Sequence, residues 1–153
     1  MDKLVKHISE LEKAITAQDK LNISVSSASV GWHIEHSLKT IMLITGAVKK
    51  SDPKTYKGKF NFWKSIVYTT NRIPRGRAKA PAAVQPAGEI NSDKLQKMIR
   101  DTLTVIQELP SLKKNNYFTH PYFGNLNLKQ TIKFLNIHTK HHLKIITDII
   151  DHR

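Results

Sequence analysis

The sequence predicts an all-α protein, a four-helix bundle with a long crossover connection between the second and third long helices. Two observations predict this fold. Four long stretches repeat apolar residues with the 3.6-residue period of an amphipathic helix. A proline-rich stretch without such a period, residues 73–86, separates the second stretch from the third. The 153 residues are expected to form a single domain, residues 1–153, which is large enough to bury a core without disulfides.

The first two helices are predicted within residues 2–18 and 25–48. The second is apolar almost all round, which is typical of a central helix. Ser26, Ser27 and Ser29 are the candidates for its N-terminal cap, because a serine hydroxyl can accept from a free backbone N–H of the first turn. Glu35 is expected on a narrow outer strip of this helix, away from the core.

The connection between the second and third long helices contains loops, a short helix and a proline-rich segment. Residues 49–61 are expected to be a loop, and a short helix within residues 60–71 is expected to cover the bundle with Phe62, Trp63, Ile66 and Val67. Residues 73–86 contain three prolines and should run extended over the surface. So long a connection is uncommon in a compact domain unless it has a task. Closing over a site and tethering the bundle ends both remain open.

The third and fourth long helices have clear start signals. Asn91 or Ser92 is expected to cap the third. An aromatic loop, residues 117–124, leads into the last helix, where Asn127 and Gln130 have the spacing of a capping box. His120 lies in that loop and could face a site, although a surface position is the favoured interpretation.

Two histidines in the last helix indicate a metal site. His138 and His142 are four residues apart, so they lie one above the other in the middle of the apolar face. A single buried histidine can be a hydrogen-bonded core residue, but two that lie one turn apart favour a shared metal ion. His33 or His36 of the second helix could face them across the bundle. The chain has no cysteine, so any metal must use nitrogen and oxygen ligands.

Two segments of the chain resemble the DinB-like superfamily of metal-dependent four-helix bundles, which includes the YfiT-like proteins. They are VGWHIEHSL at residues 30–38 and HTKHHLKII at residues 138–146. The resemblance implies a divalent metal bound by His36, His138 and His142, with His33 and His141 as neighbours rather than ligands. Residues 118–124 and 73–81 also resemble an uncharacterised branch of the same superfamily.

The resemblance implies metal-assisted chemistry, and thiol S-transfer and hydrolysis are both open. Three neutral imidazoles suit Zn²⁺ or Ni²⁺ and leave coordination positions for a small-molecule substrate such as a thiol. His33 is the candidate for a catalytic role, either supporting a ligand or transferring a proton. Many members carry Arg-Gly-Gln after the last ligand, whereas Leu143-Lys144-Ile145 follows here, so their substrate contacts do not transfer.

The positive charge is concentrated in the connection. Of a net charge of +13, residues 49–81 carry ten Lys/Arg and one acid. Such a segment can bind phosphates or simply be solvated, and because no nucleic-acid-binding signature accompanies it, nucleic acid is disfavoured as a partner. The alternatives to an enzyme are a basic nucleic-acid-associated protein with structural histidines and a metal-binding protein without turnover.

The location and assembly of the protein are expectations from simple features. No apolar run approaches the ~18 residues of a membrane span, and the N-terminal residues lack the pattern of a signal peptide. A cytoplasmic protein that does not attach to a membrane is therefore expected. The family resemblance implies that the chain pairs as a homodimer.

Overall fold

The structure is a computed structural model that describes residues 1–76 and 81–151. These residues are mainly helical, with five α-helices and a two-stranded antiparallel sheet. The elements in chain order are α1 (Asp2–Lys13), α2 (Val30–Lys50), α3 (Phe62–Thr70), α4 (Ser92–Ile106), β1 (Tyr117–His120), β2 (Gly124–Asn127) and α5 (Leu128–Ile150). Short 3₁₀ turns lie between several of them, including Ala14–Ala17 after α1 and Ala82–Val84 before α4.

The four longer helices pack around a common apolar core. The helix α2 packs against α4 and α5, and α1 packs against the same two helices. Each contributes one apolar face, as the helical period of the sequence predicts. The fully buried side chains at the centre are Leu4, Ile8, Leu11, Ile34, Leu38, Ile41, Leu95, Ile99, Ile106 and Leu135. The prediction of a mainly helical protein is confirmed.

The predicted helix starts are confirmed at their caps. The Ser29 hydroxyl accepts from the backbone N–H of Trp32 at the start of α2. Asn91 caps α4 in the same way. Asn127 and Gln130 form the reciprocal pair of a capping box at the start of α5, with distances of 2.9 and 3.1 Å. These caps satisfy backbone donors that have no partner inside a helix.

The predicted aromatic loop, residues 117–124, is instead a β-hairpin. Its two strands, β1 and β2, have only four residues each, which is too short for their alternation to stand out in the sequence. The turn is closed by His120, whose Nδ1 accepts from the backbone N–H groups of Tyr122 and Phe123 at 3.1 and 3.2 Å. The hairpin packs against α2 and α5, and its Phe118 and Phe123 side chains pack against the core.

The position predicted for Glu35 is wrong. Its side chain is fully buried, and its carboxylate forms salt bridges with Lys39 and Lys94, each at 2.9 Å. Lys94 belongs to α4, which packs over the side of α2 that the helical wheel assigned to solvent. The two lysine charges make the burial of this carboxylate possible.

The short helix α3 forms as predicted but presents a different face. Phe62 and Trp63 are 62% and 65% exposed, so they do not cover the bundle. Of the four residues predicted to cover the bundle, Val67 is the buried one, and the Tyr68 hydroxyl donates to the backbone carbonyl of Gln130 at 2.8 Å. A nine-residue helix offers few apolar positions, and the wheel alone does not decide which face packs.

Several charges of the basic segment have partners within the protein. Lys49 pairs with Glu108, and Arg75 pairs with Asp148 of α5 at 2.6 Å. Arg77 and Lys79 of the same segment lie outside the described residues. Among residues 1–76 and 81–151, no helix combines the length and the apolar content needed to cross a lipid bilayer.

Candidate metal centre

The helices α2 and α5 bring three histidines together. One ring nitrogen of each of His36, His138 and His142 lies within 4.8 Å of the other two. The Nε2 atoms of His36 and His138 are 3.3 Å apart. The ring of His142 has its centroid 4.6 Å from the centroids of both other rings. The three residues singled out from the sequence therefore form one cluster between two facing helices.

The donor set of this cluster fits a divalent transition metal. In a tetrahedral site with metal–nitrogen bonds of roughly 2.0–2.1 Å, two ligand nitrogens are about 3.4 Å apart, close to the 3.3 Å between His36 and His138. The His138 ring faces His36 through Nε2, and its buried Nδ1 has no hydrogen-bond partner in the described part of the chain. Three imidazole nitrogens suit Zn²⁺ or Ni²⁺.

The ring of His36 is held from two sides. Its Nδ1–H donates to the backbone carbonyl of Val84 at 2.9 Å, which leaves the lone pair on Nε2, the nitrogen nearest to His138. The indole of Trp32, one helical turn earlier on α2, stacks on the His36 ring at 4.9 Å with an interplanar angle of 12°. Neither Trp32 nor Val84 was predicted from the sequence to contribute to the site. The four-residue spacing could have indicated Trp32, whereas a backbone carbonyl leaves no signal in the sequence.

His33, the other histidine of α2, lies next to His142. The Nδ1 atoms of His33 and His142 are 3.0 Å apart, and Nε2 of His33 lies 3.0 Å from the hydroxyl of Ser26. The backbone N–H of Ala28 donates to the same hydroxyl at 3.1 Å. His33 therefore contacts the cluster through His142.

Burial keeps these histidines uncharged at neutral pH. It lowers the pKa of His138 and of His142 well below the usual value, and it lowers the pKa of His33 to about 4. Burial also lowers the pKa of His36, although the hydrogen bond to Val84 opposes this shift. A neutral imidazole is the form that binds a metal, so the cluster does not have to lose protons first.

A cavity of about 560 Å³ opens beside the histidine cluster. His36, His138 and His142 form part of its wall, and the rest comes from α2, α5, the hairpin and the connection between α2 and α4. A different cavity, of about 660 Å³, lies between α1 and α5 among Lys and Asp side chains and does not include the cluster. The aromatic residues in the wall of the 560 Å³ cavity are Trp32, Phe118, Tyr122, Phe123 and Phe134.

The long connection closes over this cavity. Ile73, Pro74, Pro81 and Val84 all contribute to its wall. The Val84 carbonyl also fixes His36, as described above. The described residues of the connection therefore line the cavity, and the pair between Arg75 and Asp148 also joins the connection to α5.

Two further histidines lie in the cavity wall. His120 stacks on Phe123 with a centroid distance of 4.3 Å, and burial lowers its pKa to about 4. The favoured interpretation of His120 as a surface residue is therefore wrong, because the hairpin turns its ring inward. His141 lies beside His142, with ring centroids 5.1 Å apart, and is not a member of the three-histidine cluster.

Comparison with protein-family models gives a match to the DinB superfamily over residues 3–146. No curated protein and no solved structure matches the chain. The matched range contains α2 with His36 and the part of α5 that carries His138 and His142. Because this match covers nearly the whole sequence, the chain belongs to the DinB superfamily.

Proposed function

We propose that this protein is a divalent-metal-dependent enzyme, of the thiol S-transferase or hydrolase type, whose metal is held by His36, His138 and His142. The observation that carries the proposal is the convergence of three uncharged imidazoles in the wall of a cavity of small-molecule size. A structural metal would need no cavity beside it, because structural metal sites are closed.

The residues around the cluster would have different roles in such a site. When bound, Zn²⁺ or Ni²⁺ would supply a Lewis acid with open positions for a thiol or water. Trp32 and Val84 fix the His36 ring, so this ligand does not have to be ordered when the metal binds. A ligand that fills the cavity would displace water from it, which would strengthen electrostatic interactions beside the apolar wall.

We propose that His33 acts on the centre through His142, as a positioning residue. If Nδ1–H of His142 donates to Nδ1 of His33, the lone pair of His142 is on Nε2 and available to a metal. His33 then carries its proton on Nε2 and donates to the Ser26 hydroxyl. The opposite direction would place a proton on Nε2 of His142 and remove that nitrogen as a ligand. The contact therefore supports a role for His33 in selecting the tautomer.

Metal content is the most direct test of this function. Purified protein stripped with a chelator and reconstituted with Zn²⁺ or Ni²⁺ should bind about one ion per chain, measured by plasma mass spectrometry. The variants His36→Ala, His138→Ala and His142→Ala should each lose the ion and keep their far-ultraviolet circular dichroism. His141→Ala is the matched control, because it removes an adjacent imidazole outside the cluster and should retain the ion.

Two results would reject the enzyme proposal. An unmodified chain that binds no metal after reconstitution leaves the histidines as structural residues. A chain that binds metal but turns over no thiol acceptor and no ester or amide in a broad panel is a metal-binding protein without activity. The nucleic-acid alternative would use the basic segment, in which Lys49 and Arg75 are paired with acidic residues of the same chain.

We also propose that the chain is one DinB-type domain, with α1, α2, α4 and α5 as a four-helix bundle and residues 51–91 as its crossover. The mutual packing of these four helices supports this topology. The cytoplasmic location and the homodimer expected from the sequence stay predictions. Size-exclusion chromatography with light scattering would test the dimer.

A further inference from the structure

The cavity beside the histidine cluster differs sharply in composition from the rest of the molecule. The chain contains 25 Lys and Arg and 12 Asp and Glu, yet none of these side chains belongs to the described wall of the 560 Å³ cavity. Aromatic and aliphatic side chains dominate the wall. The ionisable side chains of the described wall are histidines and Tyr122.

The wall has a polar end and an apolar end. The three-histidine cluster is the buried, polar end. Leu43 and Tyr122 also line the cavity but are 49% and 62% exposed, so they mark its open rim. A ligand that reaches the cluster must therefore lie with its body against apolar side chains between the rim and the histidines.

We infer that this cavity takes a small apolar thiol. The body of this ligand is uncharged and contains a ring, and its sulfur is the one donor that would bind the metal. The inference rests on the proposed function for the role of the donor, and on the wall alone for the body. A carboxylate, phosphate or ammonium group in this body would lose its hydration without gaining an ion-pair partner in the described wall. An aromatic ring would instead exchange water for contacts with the aromatic side chains.

Two matched thiols test the substrate class on the metal-loaded protein. Benzyl mercaptan is neutral apart from its thiol, and 4-(mercaptomethyl)benzoate adds one carboxylate to the same ring. Protein loaded with Co²⁺ in place of Zn²⁺ reports thiolate binding through a new near-ultraviolet absorption band, with the thiol proton released to the buffer. We expect the neutral thiol to bind at least tenfold more tightly. If the Kd of 4-(mercaptomethyl)benzoate is within threefold of the Kd of benzyl mercaptan, or lower, the inference is overturned.

A charge added at the rim should change this preference in a defined direction. Leu43→Arg places a guanidinium beside the open end of the cavity, where it can pair with the carboxylate of the second thiol. We expect the tenfold preference to fall to threefold or less in this variant. Leu21→Arg is the matched control, because Leu21 is 50% exposed but does not line the cavity, and it should keep the wild-type preference. If Leu43→Arg and Leu21→Arg show the same preference for the neutral thiol, the ligand body does not lie beside Leu43 and its proposed placement is overturned.

A metal-free measurement separates this inference from the proposed function. The neutral fluorescent probe N-phenyl-1-naphthylamine should bind the stripped protein and be displaced by benzyl mercaptan before its carboxylate analogue. Ala83→Trp should weaken probe binding at least fivefold, because Ala83 lines the cavity, whereas Ala82→Trp on the same 3₁₀ turn should change it less than twofold.

These measurements distinguish a failure of the proposed metal enzyme from a failure of the inference about the cavity. A protein that takes up no Co²⁺ but shows this displacement order and this pair of alanine variants refutes the metal enzyme and supports the apolar cavity. A protein that binds Co²⁺ but binds no probe, or binds it equally in both alanine variants, refutes the inference about the cavity and leaves the metal site standing.

Discussion

Two glycines of α2 lie in opposite surroundings, and this difference makes a paired prediction. A Cβ atom added to Gly31 would lie 2.9 Å from a methyl group of Ile90 and 3.1 Å from the backbone oxygen of Gln18. Gly31→Ala should therefore destabilise the protein by about 1–3 kcal/mol, as overpacking does. Gly46→Ala meets no atom within 4 Å and should stabilise the helix by roughly 0.5–1 kcal/mol.

Urea denaturation followed by circular dichroism would measure both glycine variants. The two substitutions add the same methyl group to the same helix, so each serves as the control for the other. Equal and small changes in the midpoint would show that α2 does not approach Gln18 and Ile90 as closely as described.

The tautomer assigned to His33 makes a second prediction at the scale of single residues. His33→Leu removes the acceptor for His142 and should weaken Zn²⁺ binding about 10–100-fold. His33→Gln retains a side-chain oxygen that can accept from His142 and a nitrogen that can donate to Ser26, so it should recover most of that affinity. Competition with a zinc-binding dye would measure the affinities.

A stability measurement distinguishes this role from simple packing. If His33 only fills space, the affinity of each variant for Zn²⁺ should follow the free energy of unfolding of its metal-free form. Loss of affinity in His33→Leu without recovery in His33→Gln would reject the tautomer assignment.

At the scale of elements, Glu35 joins α2 to α4. Burial alone would raise the pKa of this carboxyl, but hydrogen bonds to Lys94 and Lys39 and the charges of both lysines outweigh it, so the pKa is lowered. The carboxylate therefore contributes stability that is present above its unfolded pKa of about 4.3 and is lost as the pH falls through the folded value. The contact between α2 and α4 should weaken in acid.

Glu35→Gln tests this contribution. At pH 7 we expect a loss of about 1–3 kcal/mol, toward the lower end because the partner lysines are 26% and 31% exposed. The difference from wild type should shrink as the pH falls below about 4, where wild type also loses the charge. Urea titrations across this range would measure it. Glu108→Gln removes an exposed pair with Lys49 and should cost less than about 1 kcal/mol at any pH.

What the sequence could predict about these elements follows from the range of the interactions involved. Caps act over about three residues, so local spacing was sufficient to predict the pair Asn127 and Gln130 and to limit the cap of α2 to three serines, of which Ser29 is the one used. The burial of Glu35 depends on α4, whose lysine is distant in sequence, and a helical wheel has no information about that neighbour. The same limit explains the exposed face of α3.

The candidate centre shows the same division. His138 and His142 share a face because of their spacing alone, and the family resemblance supplied His36. The contacts that orient these rings join residues 48 and 109 positions apart, His36 with Val84 and His33 with His142. Only the packing of the whole chain determines such contacts.

At the scale of the whole molecule, a metal ion would connect α2 to α5 and should raise the stability of the fold. A ligand that binds only the native state stabilises it by about 2.7 kcal/mol at one hundred times its Kd. The midpoint of thermal unfolding should therefore rise when Zn²⁺ is added to stripped protein, as measured by circular dichroism. His142→Ala should show no rise, and a rise equal to that of wild type would place the ion elsewhere.

The separation of the three histidines along the chain also has a consequence during protein synthesis. His36 and His138 are 102 positions apart, and α5 is the last helix of the described chain to be made. While a ribosome is still producing the connection and α4, the emerging polypeptide carries His36 but lacks the other two imidazoles. Metal can therefore be acquired at this centre only after α5 has been translated, and a nascent chain that stalls before α5 cannot hold the ion there.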